Sequence, residues 1–288
     1  MSNRDWSLVW FTTLAQWSVG IVLWLTLPVM MAHDLSQVFE TGLNLRNPVL
    51  VALLLISIAT ISSFLHLGNP VNAPNTLNNL SGSWLSREIL SIGLFSMSLV
   101  LMLLLGWKTG QSEYSRFLIL PGSIFGLALL WMMIRIYAMP TIPPWNSWYT
   151  PVSFVSTALS LGLLTLLYLH TTGIVHTSDP VTGYFWIALI VILLIEIVSG
   201  FAHQSNLVKM DSGIDGLIFN RGTFHRVFLL RMVILIFTSL ATIVYVLNPD
   251  LMAGNSNLIW ISLLFLSMIA QELLGRLLFY SSYFRIGV

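Results

Sequence analysis

The segment from Phe64 to Ile89 reads FLHLGNPVNAPNTLNNLSGSWLSREI and separates two long apolar stretches. It leaves the first stretch at a histidine and enters the second through an Arg-Glu pair. The polar loop between them is rich in Gly, Pro and Asn, and it is about three times as long as a connection between two helices needs to be. Its polar side chains therefore predict a site at a membrane boundary.

Apolar runs extend outward from this loop over the rest of the chain. Of the 288 residues, 56% are hydrophobic and 8% are charged, whereas a soluble domain carries about 25% charged residues. A helix needs about 20 apolar residues to cross the hydrocarbon of a bilayer. Unpaired backbone groups are costly in lipid, so spans with continuous hydrophobicity are expected to be helical. The sequence predicts an all-α integral membrane protein.

The pattern predicts eight transmembrane helices in a single membrane domain over residues 1–288. The predicted spans are Leu8–Met31, Pro48–Leu67, Arg87–Trp107, Phe117–Tyr137, Pro151–Thr172, Thr182–His203, Phe224–Leu247 and Asn257–Tyr280. An even number of spans places both termini on one side of the membrane, called side A below. The loops Gly68–Ser86, Ala138–Thr150 and Gln204–Thr223 lie on that side and are longer than most of the others. Such asymmetry is typical of a protein that binds something at one face.

Composition excludes several classes of function. The chain has no cysteine and so supplies no thiolate to an iron-sulfur cluster, which must belong to a partner. The net charge of +1 gives no electrostatic basis for binding nucleic acid. The histidines fall in loops or at span ends, so no facing pair lies within the hydrocarbon to hold a haem, and we predict no metal site. An electron-transfer role would then require a quinone dissolved in the bilayer.

Ionisable residues inside membrane spans are expensive and therefore suggest function. The following ten are expected at similar depth toward side A, which predicts a polar pocket open to that side: His66, Arg87, Glu88, Arg135, Glu196, His203, Arg226, Arg231, Glu272 and Arg276.

Most of these residues also have a structural interpretation. Glu272 and Arg276 are four apart on a helix and are able to neutralise each other. Arg226 and Arg231 are placed to reach lipid headgroups from a helix end. His203 fits an ordinary interfacial role, and Arg135 fits helix-end anchoring beside its aromatic neighbours. These alternatives stay open on the sequence alone.

Quinol oxidation releases two electrons and two protons, so a quinol site needs a base at the ring hydroxyl and an acid-base group leading to water. Histidine titrates near neutrality and suits the first role. His66 and Glu88 lie at the two ends of the same loop. They are the predicted catalytic pair, although His66 also fits a helix-end histidine bonded to loop carbonyls.

Four motifs, HLGNP, NTLNNLSGSWLSREI, WMMIRIY with PPWNSWYTP, and QELLGRLLFY, resemble the membrane anchor subunit of dimethyl sulfoxide reductase, the DmsC family. The resemblance implies a haem-free subunit that oxidises menaquinol in anaerobic respiration. It implies two partners: an iron-sulfur subunit with four clusters, and a catalytic subunit with molybdopterin guanine dinucleotide. The expected terminal substrate is an S-oxide or N-oxide, with a related oxyanion or sulfur compound as the alternative.

The resemblance places the quinol-site histidine at His66 and the essential acid at Glu88. Arg135, Glu272 and Arg276 are further candidates for positioning the quinol or carrying protons. The resemblance also implies a location in the bacterial inner membrane, with both termini on the periplasmic side. Two other interpretations remain open: a secondary transporter, against which the one-sided polar groups and the lack of an evident repeat argue, and a structural anchor without a quinol site.

Overall fold

A computed structural model describes residues 3–31, 45–64, 77–109, 113–175, 179–211, 219, 222–248 and 255–283. The loop histidine His66 lies outside these residues. Within them the protein forms eight α-helices and no strand. The helices are α1 Asn3–Met31, α2 Arg46–Phe64, α3 Trp84–Thr109, α4 Glu113–Tyr137, α5 Tyr149–Thr171, α6 Asp179–Asp211, α7 Gly222–Leu247 and α8 Asn255–Ser281.

All eight helices in this part of the protein are long and apolar enough to cross a membrane, which confirms the predicted fold class. The largest difference concerns α6, which continues to Asp211 through residues that we predicted as loop. Residues 204–211 include no Pro or Gly to break the helix. Leu207 in this extension is buried, and the Gln204 side-chain amide donates to the Phe219 carbonyl oxygen at 2.7 Å. Packing therefore extends the helix beyond the apolar run that hydropathy detects.

The helices form two four-membered rings. Each of α1 to α4 packs on its neighbour in sequence, and α4 closes on α1. Helices α5 to α8 repeat this arrangement, with α8 closing on α5. The two halves meet mainly through α1 and α5, which are the most buried of the eight described helices. The shared arrangement is a repeat of packing that the sequence did not reveal.

The central contact between α1 and α5 brings backbone against backbone. A Cβ atom added to Gly20 would lie 1.7 Å from the Ala158 carbonyl oxygen, and one added to Gly162 would lie 2.2 Å from the Gly20 carbonyl carbon. The Trp24 indole N–H donates to the Leu159 carbonyl oxygen at 2.8 Å beside this contact. Small residues allow membrane helices to approach closely, and close packing is what holds helices together in lipid. This crossing therefore joins the two halves.

At the side A end, an aromatic cluster joins α4, the segment after it, α5 and α8. The Trp145 ring stacks on Phe279 with centroids 5.5 Å apart, and its indole N–H donates to the Phe279 carbonyl oxygen at 2.8 Å. Tyr137 makes edge contacts with both of these rings and with Phe154. This packing fixes the positions of the polar side chains described next.

Candidate functional site

Glu88 is the acidic residue that follows the long loop, and its side chain is 4% exposed. It lies in the second turn of α3, whose first turn is capped by Ser83: the Ser83 Oγ accepts from the Ser86 backbone N–H at 3.3 Å. Its carboxyl group interacts electrostatically with the hydroxyls of Tyr137 and Tyr280. Helix α3 begins at Trp84, three residues before the predicted start of this span at Arg87.

Two arginines cover the outer end of α3. Arg87 donates to the carbonyl oxygens of Leu80 at 2.7 Å and Ser81 at 2.6 Å, which fastens the end of the loop to the helix. The guanidinium groups of Arg87 and Arg135 lie 4.3 and 4.9 Å from the centroid of the Trp84 ring. Arg135 is exposed. It therefore lies near the start of α3 but outside the buried polar groups.

Two buried tyrosine hydroxyls, which both interact electrostatically with Glu88, join α4 to α8. The Tyr137 and Tyr280 hydroxyl oxygens are 2.7 Å apart, and the Tyr280 hydroxyl lies 3.3 Å from the Thr12 hydroxyl of α1. Tyr137 and Tyr280 are each 8% exposed. Buried tyrosine hydroxyls normally find a partner, and here the partners come from three helices.

Arg276 lies one turn before Tyr280 on α8 and is 1% exposed. Its guanidinium donates to the Gln16 side-chain oxygen and, at 2.8 Å, to the Thr157 hydroxyl. It also sits 4.0 Å from the centroid of the Phe154 ring. Arg276 therefore joins α1, α5 and α8 at their common contact.

Glu272 is 2% exposed and receives hydrogen bonds from several neutral groups. Its carboxylate accepts from Thr157 at 2.7 Å, from Ser160 at 3.1 Å and from the Gln271 amide at 3.0 Å. Thr157 thus stands between Glu272 and Arg276. The two are not a direct ion pair within the described residues, so the simple neutralisation considered above is replaced by a bridge through this hydroxyl.

Glu196 and Arg231 form a buried ion pair, with 3.9 Å between carboxylate oxygen and guanidinium nitrogen. The Gln271 amide donates to Glu196 at 3.1 Å, so one amide group contacts both buried carboxylates. Arg231 also donates to the Tyr149 hydroxyl at 2.9 Å. Arg231 is only 4% exposed, which contradicts the interpretation that it reaches lipid headgroups.

Gly275 explains how Arg231 reaches this position. A Cβ atom at residue 275 would lie 2.9 Å from the guanidinium carbon of Arg231, so a larger residue there would require the guanidinium to shift away from α8. Arg226, about one and a half turns earlier on α7, is exposed as a headgroup-facing arginine would be. The two arginines of α7 thus have different environments.

A small cavity opens beside Arg231. Its volume is about 20 Å³, room for one or two water molecules. A benzene-sized ligand occupies a cavity of about 150 Å³, so a quinol ring does not fit. His203 stacks on Tyr149 at this cavity with ring centroids 4.0 Å apart, and it is 9% exposed. It is therefore a buried member of the cluster and not an ordinary interfacial histidine. The lining also includes Gly200, Gln204, Leu207, Phe224, Phe228, Gly275, Leu278 and Phe279.

The structure thus brings Glu88, Glu272 and Arg276 into one buried region and leaves Arg135 at its exposed edge. Sequence reasoning weighed only ionisable groups and missed the neutral ones that connect them, namely Gln16, Tyr149, Thr157, Ser160 and Gln271. A signal was present: Thr157 and Ser160 are three apart on one predicted helix, and Gln271 precedes Glu272.

Comparison with known proteins identifies the family. The family model described as DMSO reductase anchor subunit (DmsC) matches residues 1–282. The chain belongs to this family. It is 26% identical to a chain of the anaerobic dimethyl sulfoxide reductase of Escherichia coli (strain K12) over 291 aligned residues, covering 99% of this protein and 97% of the relative. The corresponding protein of Haemophilus influenzae is 28% identical, with 98% and 95% covered.

A third relative is a subunit of the sulfite dehydrogenase of Allochromatium vinosum, which is 27% identical over 54% of this protein and 50% of its own length. Membership of the DmsC family confirms the identification made from the loop and helix motifs. The protein is therefore a multi-pass membrane anchor subunit of the reductase type.

Proposed function

We propose that this anchor subunit oxidises menaquinol at side A and passes the electrons to an iron-sulfur partner subunit. That partner would carry four clusters and supply a catalytic subunit with molybdopterin guanine dinucleotide, which reduces an S-oxide or N-oxide. The support is family membership over residues 1–282 together with the absence of cysteine. The anchor itself would work without haem or metal, in a bacterial inner membrane with both termini periplasmic.

The observation that carries the proposal is the environment of Glu88. A carboxyl group that is 4% exposed, directly behind a long polar loop and near two tyrosine hydroxyls, has no evident structural need. Ionisable groups in such positions within membranes are usually functional. The loop that precedes it ends in the Arg87 contacts, which hold the start of α3 in place.

The reaction assigns a role to each residue. Menaquinol loses two electrons and two protons to become menaquinone, and the electrons leave through the iron-sulfur partner. His66 accepts the first proton from a ring hydroxyl, and Glu88 takes protons onward. Arg135 positions the quinol headgroup from the exposed edge, while Glu272 and Arg276 act further inside. The Gly68–Ser86 loop is the proposed docking surface for the iron-sulfur subunit.

The test is quinol oxidation by the membrane-bound complex with His66→Ala, using a menaquinol analogue. Turnover driven by reduced viologen in the same membranes checks assembly, because viologen bypasses the quinol site. We expect quinol-driven turnover to fall about a hundredfold or more and viologen-driven turnover to persist. His176→Ala, in the predicted connection on the opposite side of the membrane, is the matched control and should retain both activities.

If His66→Ala retains both activities, the assignment of His66 is wrong. If Glu88→Gln retains both as well, the protein is a structural anchor without a quinol site at this loop.

A further inference from the structure

A series of polar side chains runs from Glu88 in the first half of the protein to the water-sized cavity in the second half. We propose that this series is a proton path, which carries protons released at Glu88 through Tyr137 and Tyr280 to the paired carboxyl groups of Glu272 and Glu196. The inference rests on the proposed quinol oxidation, since that reaction supplies the protons.

The first part of the path consists of hydroxyl groups. The hydroxyl oxygens of Tyr137 and Tyr280, which interact electrostatically with Glu88, are 2.7 Å apart, and Thr12 follows at 3.3 Å from Tyr280. Each hydroxyl both donates and accepts a hydrogen bond. A chain of such hydroxyl groups can transfer a proton without leaving a lasting charge on any of the oxygens.

The junction between the two halves contains buried polar atoms that no described protein group satisfies. Gln16, one turn after Thr12 on α1, has an unpartnered side-chain nitrogen, and Arg276 has an unpartnered Nη1. Buried polar atoms are nearly always hydrogen-bonded to protein or to water. Ordered water at this junction would satisfy both atoms and connect Thr12 to the Thr157 hydroxyl.

The second part of the path ends near the cavity. Thr157 contacts Glu272 at 2.7 Å, and Gln271 holds Glu272 and Glu196 at 3.0 and 3.1 Å from its nitrogen. Glu196 Oε1, Gln271 Oε1 and Arg231 Nε have no partner among the described residues. Arg231 itself lines the cavity. Water at these atoms would complete the connection from the carboxyl pair to the opening.

The proton balance closes at each step. Glu88 gives its proton to the Tyr137 oxygen while the Tyr137 proton passes to Tyr280 and the Tyr280 proton passes on toward Thr12. Water and Thr157 deliver a proton to the Glu272 carboxylate, and each hydroxyl ends with the proton it needs. Glu272 then passes a proton to Glu196, which Gln271 holds beside it, and Glu196 releases a proton to water at the cavity. Arg231 and Arg276 keep their protons and supply positive charge. Gln271 transfers none and serves to hold the two carboxyl groups together.

A structural role is the competing explanation, because the same groups join α1, α5 and α8. The two roles predict different quinol-driven rates when one oxygen is removed or replaced and the shape of the side chain is kept. Tyr280→Phe, Tyr137→Phe and Glu272→Gln each preserve volume but interrupt proton transfer. Tyr283→Phe, an exposed tyrosine just after the end of α8, is the matched control.

The experiment compares quinol-driven and viologen-driven turnover of the whole complex in native membranes. For the three interior variants we expect quinol-driven turnover to fall about tenfold or more with viologen-driven turnover unchanged. The solvent deuterium isotope effect should increase, and small weak acids such as azide should restore part of the rate. The double variant Tyr280→Phe/Glu272→Gln should turn over quinol no more slowly than the slower of the two single variants, because both residues belong to one path.

Quinol-driven rates within about twofold of the parent protein in all three interior variants would overturn the path, since proton-transfer groups normally contribute far more. A lower rate with an unchanged isotope effect and no response to weak acids would also overturn it in favour of a structural role. Glu88→Gln separates the two proposals: if it loses quinol oxidation while the interior variants do not, the proposed function stands and the path fails. If Glu88→Gln and His66→Ala both retain activity, the proposed function itself fails.

Discussion

The two halves of this protein share one arrangement of helices but differ in what they bury. In the first half, α1 to α4, Glu88 is the one buried charged side chain among the described residues. The other buried hydrogen bonds of this half are made by neutral groups, such as the Ser18 hydroxyl that donates to the Ala52 carbonyl oxygen at 2.7 Å. In the second half, α5 to α8, Glu196, Arg231, Glu272 and Arg276 are all buried, with His203 at their edge.

The difference shows that the long loop and most of the buried charges belong to separate halves. Neutral hydroxyl contacts stabilise membrane helices at little cost, whereas buried charges are expensive wherever they occur. The second half therefore retains four charged groups that helix packing alone does not need. The contacts of Tyr280, Thr12 and Arg276 join polar groups of the two halves.

The largest effect is expected at the contact between the halves. Gly20→Ala places a Cβ atom on the Ala158 backbone, so α1 and α5 must separate. We expect a loss of more than about 4 kcal/mol of stability and little or no folded protein in detergent-solubilised membranes, measured by size-exclusion chromatography. Gly93→Ala is the control, because a Cβ there meets no atom within 4 Å. Normal yields of Gly20→Ala would contradict the close backbone contact.

The next effect concerns the charges of the second half. Arg231→Met leaves Glu196 buried without its ion-pair partner, which should cost about 3–5 kcal/mol. Adding Glu196→Gln should recover most of that loss, because the unpaired carboxylate is removed. Thermal denaturation of the purified complex measures both changes. Arg226→Met, on the exposed face of the same helix, should change little, and an equal effect there would show that burial of Arg231 is not the cause.

A smaller effect is expected from the single buried charge of the first half. Glu88→Gln keeps the shape and should lower quinol-driven turnover about a hundredfold, equal to about 2.7 kcal/mol in the barrier. Its thermal stability should change less than that of Arg231→Met, since Glu88 forms no ion pair in the described part of the protein. Turnover with a quinol analogue checks the expected loss of activity, and thermal denaturation of the same preparation checks the expected small change in stability. A loss of stability without a loss of turnover would show that Glu88 has a structural role instead.

The smallest effect is expected at the exposed edge. Arg135→Ala removes one of two cations on the Trp84 ring, worth about 0.5–1 kcal/mol at an exposed site. The result should be a few-fold rise in the KM for the quinol analogue with kcat retained. Steady-state kinetics with several analogue concentrations provide the check. A loss of kcat as large as that of Glu88→Gln would place Arg135 inside the reaction site instead.

Much of the fold could be predicted from the sequence, because lipid imposes a simple rule on composition. The spans from Leu8 to Tyr280 were found from apolar length, and the eight helices follow them closely. The extension of α6 to Asp211 was missed because its polar residues follow the apolar run, and burial of Leu207 becomes visible only when the helices are packed.

The buried cluster was predicted only in part. Glu272 and Arg276 stand out as charges inside a span, but their bridge through Thr157 depends on how α5 lies against α8. Arg231 near the start of α7 has the sequence context of a headgroup contact, and its inward position depends on space left by Gly275 and a partner at Glu196. Such facts concern pairs of helices far apart in the sequence, which spacing along one helix does not reveal.

The contact of Gly20 with Ala158 also bears on how the protein is made. Helix α1 emerges from the ribosome before its main partner α5, which is synthesised more than a hundred residues later, yet α1 exposes little surface suited to lipid. During that interval the surface of α1 around Gly20 lacks its partner, the α5 backbone at Ala158. Completion of the first ring can bury one side of α1 early, but its final environment must wait for α5. The native surroundings of the first helix are therefore complete only after α5 has been synthesised.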